Sequence, residues 1–172
     1  MNETMNTLLN RRSIRKYSSE PVKTEDLELI IRAGMYAPSG KNMQSAVMVA
    51  VTNPEEIAYL SKLNAQVWGK DTDPFYGAPA VIIVLSDVSN SNHVYDGALV
   101  MGNLMNAAHA LGLGSCWINR AREVFAGEEG KAWLKKHGIE GELEGIGNCI
   151  IGYPAEERAA APRKDNFVYY VR

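Results

Sequence analysis

Residues 80–85 read AVIIVL, with nothing polar on either alternate face, and this run restricts the chain to a narrow set of architectures. A strand with one wet face alternates apolar and polar side chains. A strand apolar throughout is buried on both sides, so each face of its sheet needs a covering layer. Residues 46–51 (AVMVAV) and 146–151 (IGNCII) read as buried strands too, and residues 115–118 as a short one. The segments between them carry helical periodicity. The order is therefore mixed α and β, with helices predicted over both faces of a sheet.

The helix signals are mostly local. Residues 5–9 fit a short helix that runs into Arg11. Thr24 is a predicted N-cap, Glu25 and Asp26 suit a first turn, and Leu27, Ile30, Ile31 and Gly34 form one inward face. Pro38 ends that helix, because proline disfavours helical geometry in the residue before it. Asn53-Pro54-Glu55-Glu56 starts another, with a cap, a proline that needs no amide partner, and an acid three residues after the cap. Ile57, Leu60 and Leu63 then supply its packing face, and residues 68–79 read as a loop. A long helix over 94–111 is rich in small residues, including Gly97, Gly102 and Ala108, and Gly112 suits its C-terminal cap. A further helix is predicted over 128–137, and a short terminal strand over 167–171. No linker or repeat divides the chain, so residues 1–172 read as one domain.

Composition closes off several classes of function. Eighteen Lys and Arg against 20 Asp and Glu give a formal charge of -2, so no general affinity for nucleic acid is implied. Cys116 and Cys149 make no disulfide framework and read as buried, inert thiols, and three histidines without metal-site spacing nominate no metal. The apolar stretch 94–113 contains Asp96, Asn103, Asn106 and His109, which suits a buried helix better than a membrane span. The N-terminus has no apolar signal core, and a cytoplasmic location is expected. The chain lacks G-x-S-x-G, H-E-x-x-H, the P-loop and a G-x-G-x-x-G after a strand, so no side chain is nominated as catalytic.

Four motifs remain. In Arg11-Arg12-Ser13-Ile14-Arg15-Lys16-Tyr17, extended backbone puts Arg11, Ser13 and Arg15 on one side, where guanidiniums and a hydroxyl suit phosphate oxygens. The same run also reads as a solvated basic surface. Ala37-Pro38-Ser39-Gly40-Lys41-Asn42-Met43-Gln44 is a turn-forming segment, either an ordinary connection or a set of amides for the edge of a planar ligand. Gly112-Leu113-Gly114-Ser115-Cys116-Trp117 is a helix cap and strand entry whose glycines also permit close approach to a ligand. Arg163 and Lys164 form a late basic pair, which alone suits solvent.

Taken in order, RRSIRKY, APSGKNMQ, DGALVMGNLMNAAHALGLGSCWI, GYP and PRK resemble the FMN-dependent nitroreductase family across nearly the whole chain. The resemblance implies an α/β (α+β) fold, a three-layer sandwich with a mixed central sheet flanked by helices. It implies FMN bound at the subunit interface of a homodimer. Arg11, Arg12, Ser13 and Arg15 would hold the phosphate and ribityl chain, with Arg163 and Lys164 assisting. Pro38, Ser39 and Asn42, with Gln44 nearby, would lie beside the isoalloxazine; Leu113, Gly114 and Ser115 would line its other side, and Asn64 would meet its edge. The implied activity passes reducing equivalents from NADH or NADPH to a nitroaromatic, quinone or similar small flat organic acceptor. A specialised flavoenzyme of the same fold and a non-enzymatic FMN-binding redox sensor are the alternatives. After Gln44, Ser45-Ala46 replaces the proline and aromatic residue of many relatives, and Trp68, Phe75 and Tyr76 offer either a stacking surface for the acceptor or anchors for their loop.

Overall fold

The computed structural model describes residues 2–172. The chain runs through Glu3–Asn10 (α1), Thr24–Met35 (α2), Ala46–Val51 (β1), Pro54–Trp68 (α3), Ala80–Asp87 (β2), His93–Ala110 (α4), Gly114–Ile118 (β3), Ala121–Ala126 (α5), Glu128–Lys136 (α6) and Leu143–Gly152 (β4). The sheet order is β1-β2-β4-β3, with each neighbouring pair antiparallel. Its parallel component is a single bridge, Ser13 to Ser115, which lays the arginine segment along β3.

Alternation along β2 builds both outer layers. Val81, Ile83 and Leu85 meet one core with Ile57 and Leu60 of α3, Phe125 of α5 and Trp133 of α6. Ala80, Ile82 and Val84 meet a second core with Leu27 and Ile30 of α2 and Met101 and Leu104 of α4. Residues 81–85 have no exposed surface at all. At about 1.5–3 kcal/mol for each large apolar side chain buried, this one strand anchors a large share of the folding free energy. The three-layer sandwich follows from a strand that has no wet face.

Several local expectations resolve differently. Thr24 is the first helical residue of α2; the cap position falls to Lys23, without a side-chain bond. Asn53 does cap α3, accepting from the amides of Glu55 and Glu56. Glu56 is turned away from that cap, accepting from Trp133 Nε1 and Lys136 Nζ, each at 2.6 Å, and so tying α3 to α6. Trp68 belongs to the end of α3 and not to the loop after it. β1 is an edge strand with only Val51 buried, because β2 covers one side of it alone. No strand forms over 167–171: Phe167, Tyr169 and Tyr170 are exposed, and the one backbone hydrogen bond among the described residues there is a local turn, Phe167 N to Lys164 O.

Candidate functional site

The arginine segment is held from three directions. The backbone amide of Arg11 donates to Thr7 O, closing α1, and Ile14 N donates to Ser115 O at 3.0 Å. A side chain at Gly114 would strike Ile14, its Cβ coming within 2.9 Å, so that close crossing requires glycine. Tyr17 donates its hydroxyl to Ile14 O at 2.6 Å and bridges to Pro154. From there the chain doubles back along the segment. Ala155 N donates to Lys16 O, and Glu156 Oε1 accepts from Arg15 N at 2.7 Å.

The reversal brings Arg158 and Arg163 to the same cavity as Arg11, Arg12, Ser13 and Arg15, a space of about 660 Å³. Arg158 is the residue that sequence reasoning missed. Its one local signal is Glu156, two residues earlier and on the same side of an extended stretch, whose carboxylate it binds through Nε and Nη2. Hydrogen bonding from Arg158, then from the Arg15 amide, holds the Glu156 carboxyl below its ordinary range. Lys164 is not among the residues lining the cavity. Arg12 Nη1 donates to the carbonyls of Leu9 and Arg11, but Arg12 Nε, Arg11 Nη1 and Ser115 Oγ are buried without a hydrogen-bond partner in the protein. Buried donors on guanidinium groups are costly unless an acceptor meets them. An anionic group with several oxygens, such as a phosphate, fits this donor set.

Burial, and then the positive field of Arg11 and Arg12, lowers the pKa of His109 in the last turn of α4. The arginine segment therefore stands at the C-terminal end of that helix. The 38–45 segment stands at the other end. Pro38, Ser39 and Gln44 line a small cavity of about 180 Å³ with Met48, Asp96 and Val100. Lys41, Asn42 and Gln44 all have positive φ, at 52°, 56° and 49°. Left-handed backbone costs a non-glycine residue about 1 kcal/mol or more, so the loop shape is held against local preference. Ser39 Oγ accepts from Gln44 N, and Asn42 Oδ1 accepts from Gln44 Nε2. The Asn42 side chain is exposed.

The remaining predicted residues fall into two places. Leu113, Gly114 and Ser115 are buried at the entry to β3, beside the arginine segment. Asn64 is buried at the far end of β3, donating to Asn119 O at 2.8 Å and accepting from Arg120 Nε at 2.9 Å. Arg120 has a φ of 76° and stacks over Trp68. Phe75 is only 1% exposed and belongs to the core, so Trp68, Phe75 and Tyr76 do not form one stacking surface. A separate, mostly apolar cavity of about 600 Å³ lies between α3 and the 71–79 loop, away from the arginine cluster. Cys116 and Cys149 are free and buried, and burial raises the Cys149 pKa far above its ordinary value. Among the described residues, no group of three or more His, Cys, Asp or Glu is placed to hold a metal, and no helix is long and apolar enough to cross a membrane.

Comparison with known proteins matches the nitroreductase family model over residues 8–74 and 68–153. A protein of Archaeoglobus fulgidus, named provisionally as an NADH dehydrogenase/NAD(P)H nitroreductase, is 31% identical, covering 97% of this chain and 94% of its own. An FMN reductase [NAD(P)H] of Bacillus subtilis is 28% identical over 95% of this chain and 70% of its own. Among solved structures, a nitroreductase with bound FMN from Bacteroides fragilis superposes with a TM-score of 0.92 at 26% identity, covering all of both chains. An FMN-dependent nitroreductase of Clostridium difficile superposes at 0.82 with 27% identity, over 98% of this chain and 99% of the other.

Proposed function

The chain belongs to the nitroreductase family, and from that premise we propose that it is an FMN-dependent oxidoreductase carrying reducing equivalents from NADH or NADPH to a nitroaromatic, quinone or similar flat acceptor. The observation that carries the reading is the meeting of five arginines, 11, 12, 15, 158 and 163, on one cavity. Two of them, Arg11 and Arg12, have a buried guanidinium nitrogen without a protein partner. When bound, FMN supplies the redox chemistry, taking hydride from the nicotinamide and passing electrons to the acceptor. The protein's own groups bind and orient. Arg11 and Arg12 meet phosphate oxygens with their guanidinium groups, Ser13 adds a hydroxyl, and Arg15, Arg158 and Arg163 complete the charge. Lys164, next to Arg163 in the chain but outside the cavity lining, is kept as a further candidate cation. Pro38, Ser39, Asn42 and Gln44 serve the ring edge, where carbonyl and imino groups need matched donors and acceptors. Leu113, Gly114 and Ser115 form the wall beside the arginines. Asn64 acts through the turn at Asn119 and Arg120 that its side chain holds.

The assembly in this reading is a homodimer with FMN at the subunit interface. Its support is the separation of the two contact sets along α4: from Asp96 to His109 the helix rises about 20 Å. One chain's arginines and its partner's 38–44 loop then share each flavin. Unclaimed surface supports the pairing as well. α1 buries none of its residues although Met5, Leu8 and Leu9 are apolar, and a Cβ on Gly102 of α4 would meet nothing within 4 Å of its own chain. The two free buried thiols suit a cytoplasmic location.

The test is direct. Purified protein takes up one FMN per chain and its flavin absorbance bleaches anaerobically with at least one nicotinamide donor. A preparation that neither holds nor takes up FMN sinks the proposal. Replacing Arg11 and Arg15 together by alanine raises the FMN Kd at least about 10- to 100-fold, the worth of about one charge-assisted hydrogen bond. An unchanged titration rejects their role.

A further inference from the structure

Asp96, in the first turn of α4, is 3% exposed, and no cation lies among its hydrogen-bond partners. Its carboxylate oxygens accept from Gly40 N at 2.8 Å, from Ser45 Oγ at 2.8 Å and from Asn90 Nδ2 at 3.0 Å. Gly40 and Ser45 flank the three residues with positive φ, so one carboxylate grips both ends of the distorted loop. A second hydroxyl, Ser86 Oγ, donates to Ser45 from β2. The loop is also pressed from above: a Cβ on Gly40 would come within 2.3 Å of Asn92 Nδ2. Asn90, in turn, accepts from Asn92 N through Oδ1. A buried carboxylate needs every donor it can find. Here the donors are Gly40 and Ser45 at the two ends of the loop and Asn90 in the turn that opens α4.

We propose that Asp96 is a positioning residue for the flavin, fixing through Gly40 and Ser45 the direction in which Ser39, Asn42 and Gln44 meet the ring edge of the FMN held by the partner's arginines. The inference rests on the FMN-dependent dimer proposed above. The Ser39–Gln44 hydrogen bond closes the loop on itself, and Asp87 N holds the carbonyl of Ser45. The Asp96 carboxylate, however, is the side chain that ties both Gly40 and Ser45 to α4; without it the loop loses that tie and shifts its left-handed residues. Asp96 is buried and is not among the residues that line the arginine cavity. Its effect therefore falls on the flavin's orientation and spectrum, and the arginine cavity keeps its own grip.

The experiment compares Asp96→Asn with the parent by FMN titration, visible circular dichroism of the bound flavin, and thermal unfolding. Expected is at least a tenfold rise in FMN Kd, with the visible dichroism moved towards that of free FMN, while inorganic phosphate competes as it does in the parent. A variant with parental Kd and dichroism overturns the proposal, whatever its Tm, since a merely structural role lowers Tm alone. If Asp96→Asn does not fold, Ser45→Ala decides, removing one of the three donors and keeping the carboxylate. It is expected to shift the dichroism in the same direction, and a parental spectrum overturns the proposal. A heterodimer joining an Asp96→Asn chain to an Arg11→Ala/Arg15→Ala chain assigns the effect to a site. It binds one FMN per dimer with parental affinity and dichroism, because one site combines both intact sets. Restoration of neither site overturns the action across the interface. Failure of the parent itself to bind FMN is seen before any variant, and it removes the cofactor reading along with this one.

Discussion

His109 reports on the arginine cavity from outside it. Burial, and then Arg11 and Arg12, depress its pKa. The unfolded chain takes up that proton near pH ~6.5 and the folded chain only at lower pH. The unfolded state thus binds more protons in that window, and stability falls as pH drops through it. Phosphate or FMN bound to the arginines removes the positive field. The His109 pKa, followed by NMR titration, is therefore expected to rise when either ligand is added; a value that does not move would show that the arginines do not face it. Glu56 behaves in the opposite sense, with hydrogen bonds from Lys136 and then Trp133 lowering its pKa to about 2. Its tie between α3 and α6 is complete above the ordinary carboxylate range and is lost as pH falls towards 2. At this scale Arg11, Ser13 and Arg15 were legible as candidates for an anion, beside the alternative of a solvated basic run, and the family resemblance added Arg12. Arg158 was not, because its place depends on a chain reversal that Tyr17, Pro154 and Ala155 make through backbone pairing.

The junction of β4 with its neighbours shows how an element is shaped by contacts that its own residues do not announce. The β2–β4 register shifts between Val84 and Leu85, which pair with Gly147 and Gly145 and leave Ile146 as the extra residue. The bulge turns Ile146 against Gly97 of α4, where a Cβ would approach within 2.5 Å. Gly145 lies against the backbone of α5: a Cβ there would sit 2.3 Å from the carbonyl carbon of Ala121. Gly145→Ala is accordingly expected to destabilise the fold by about 3 kcal/mol, the upper range for overpacking, since backbone cannot move aside as a side chain can. Denaturant unfolding measures it, and a change below 1 kcal/mol, roughly the low end of that range, would show that α5 shifts freely. α5 escaped prediction because six residues are too few for helical periodicity to declare itself, although Ala121, Val124 and Phe125 are all buried. The terminal strand was predicted from composition at 167–171, but a strand exists only where another backbone pairs with it.

At the scale of the molecule, exposed apolar surface gathers on α1, on α4 and along the tail, where Phe167, Tyr169 and Tyr170 are 73–80% exposed. Dimerisation is expected to make Tm rise with protein concentration, and removal of residues 166–172 to weaken the dimer in sedimentation. Concentration-independent Tm with a monomeric sedimentation coefficient would sink the shared-site reading. Sequence alone determined the layered architecture, because a strand apolar on both faces, as at 80–85, has no other stable setting. It also determined most helix starts and the residue types able to hold a phosphate, since caps, periodicity and guanidinium chemistry act within a few residues. Only the tertiary structure decided that the late arginines return to Arg11, that Phe75 enters the core, and that the arginine segment and the 38–45 loop stand at opposite ends of α4. Those placements depend on pairing and packing summed over two cores, a balance that no short stretch of sequence contains.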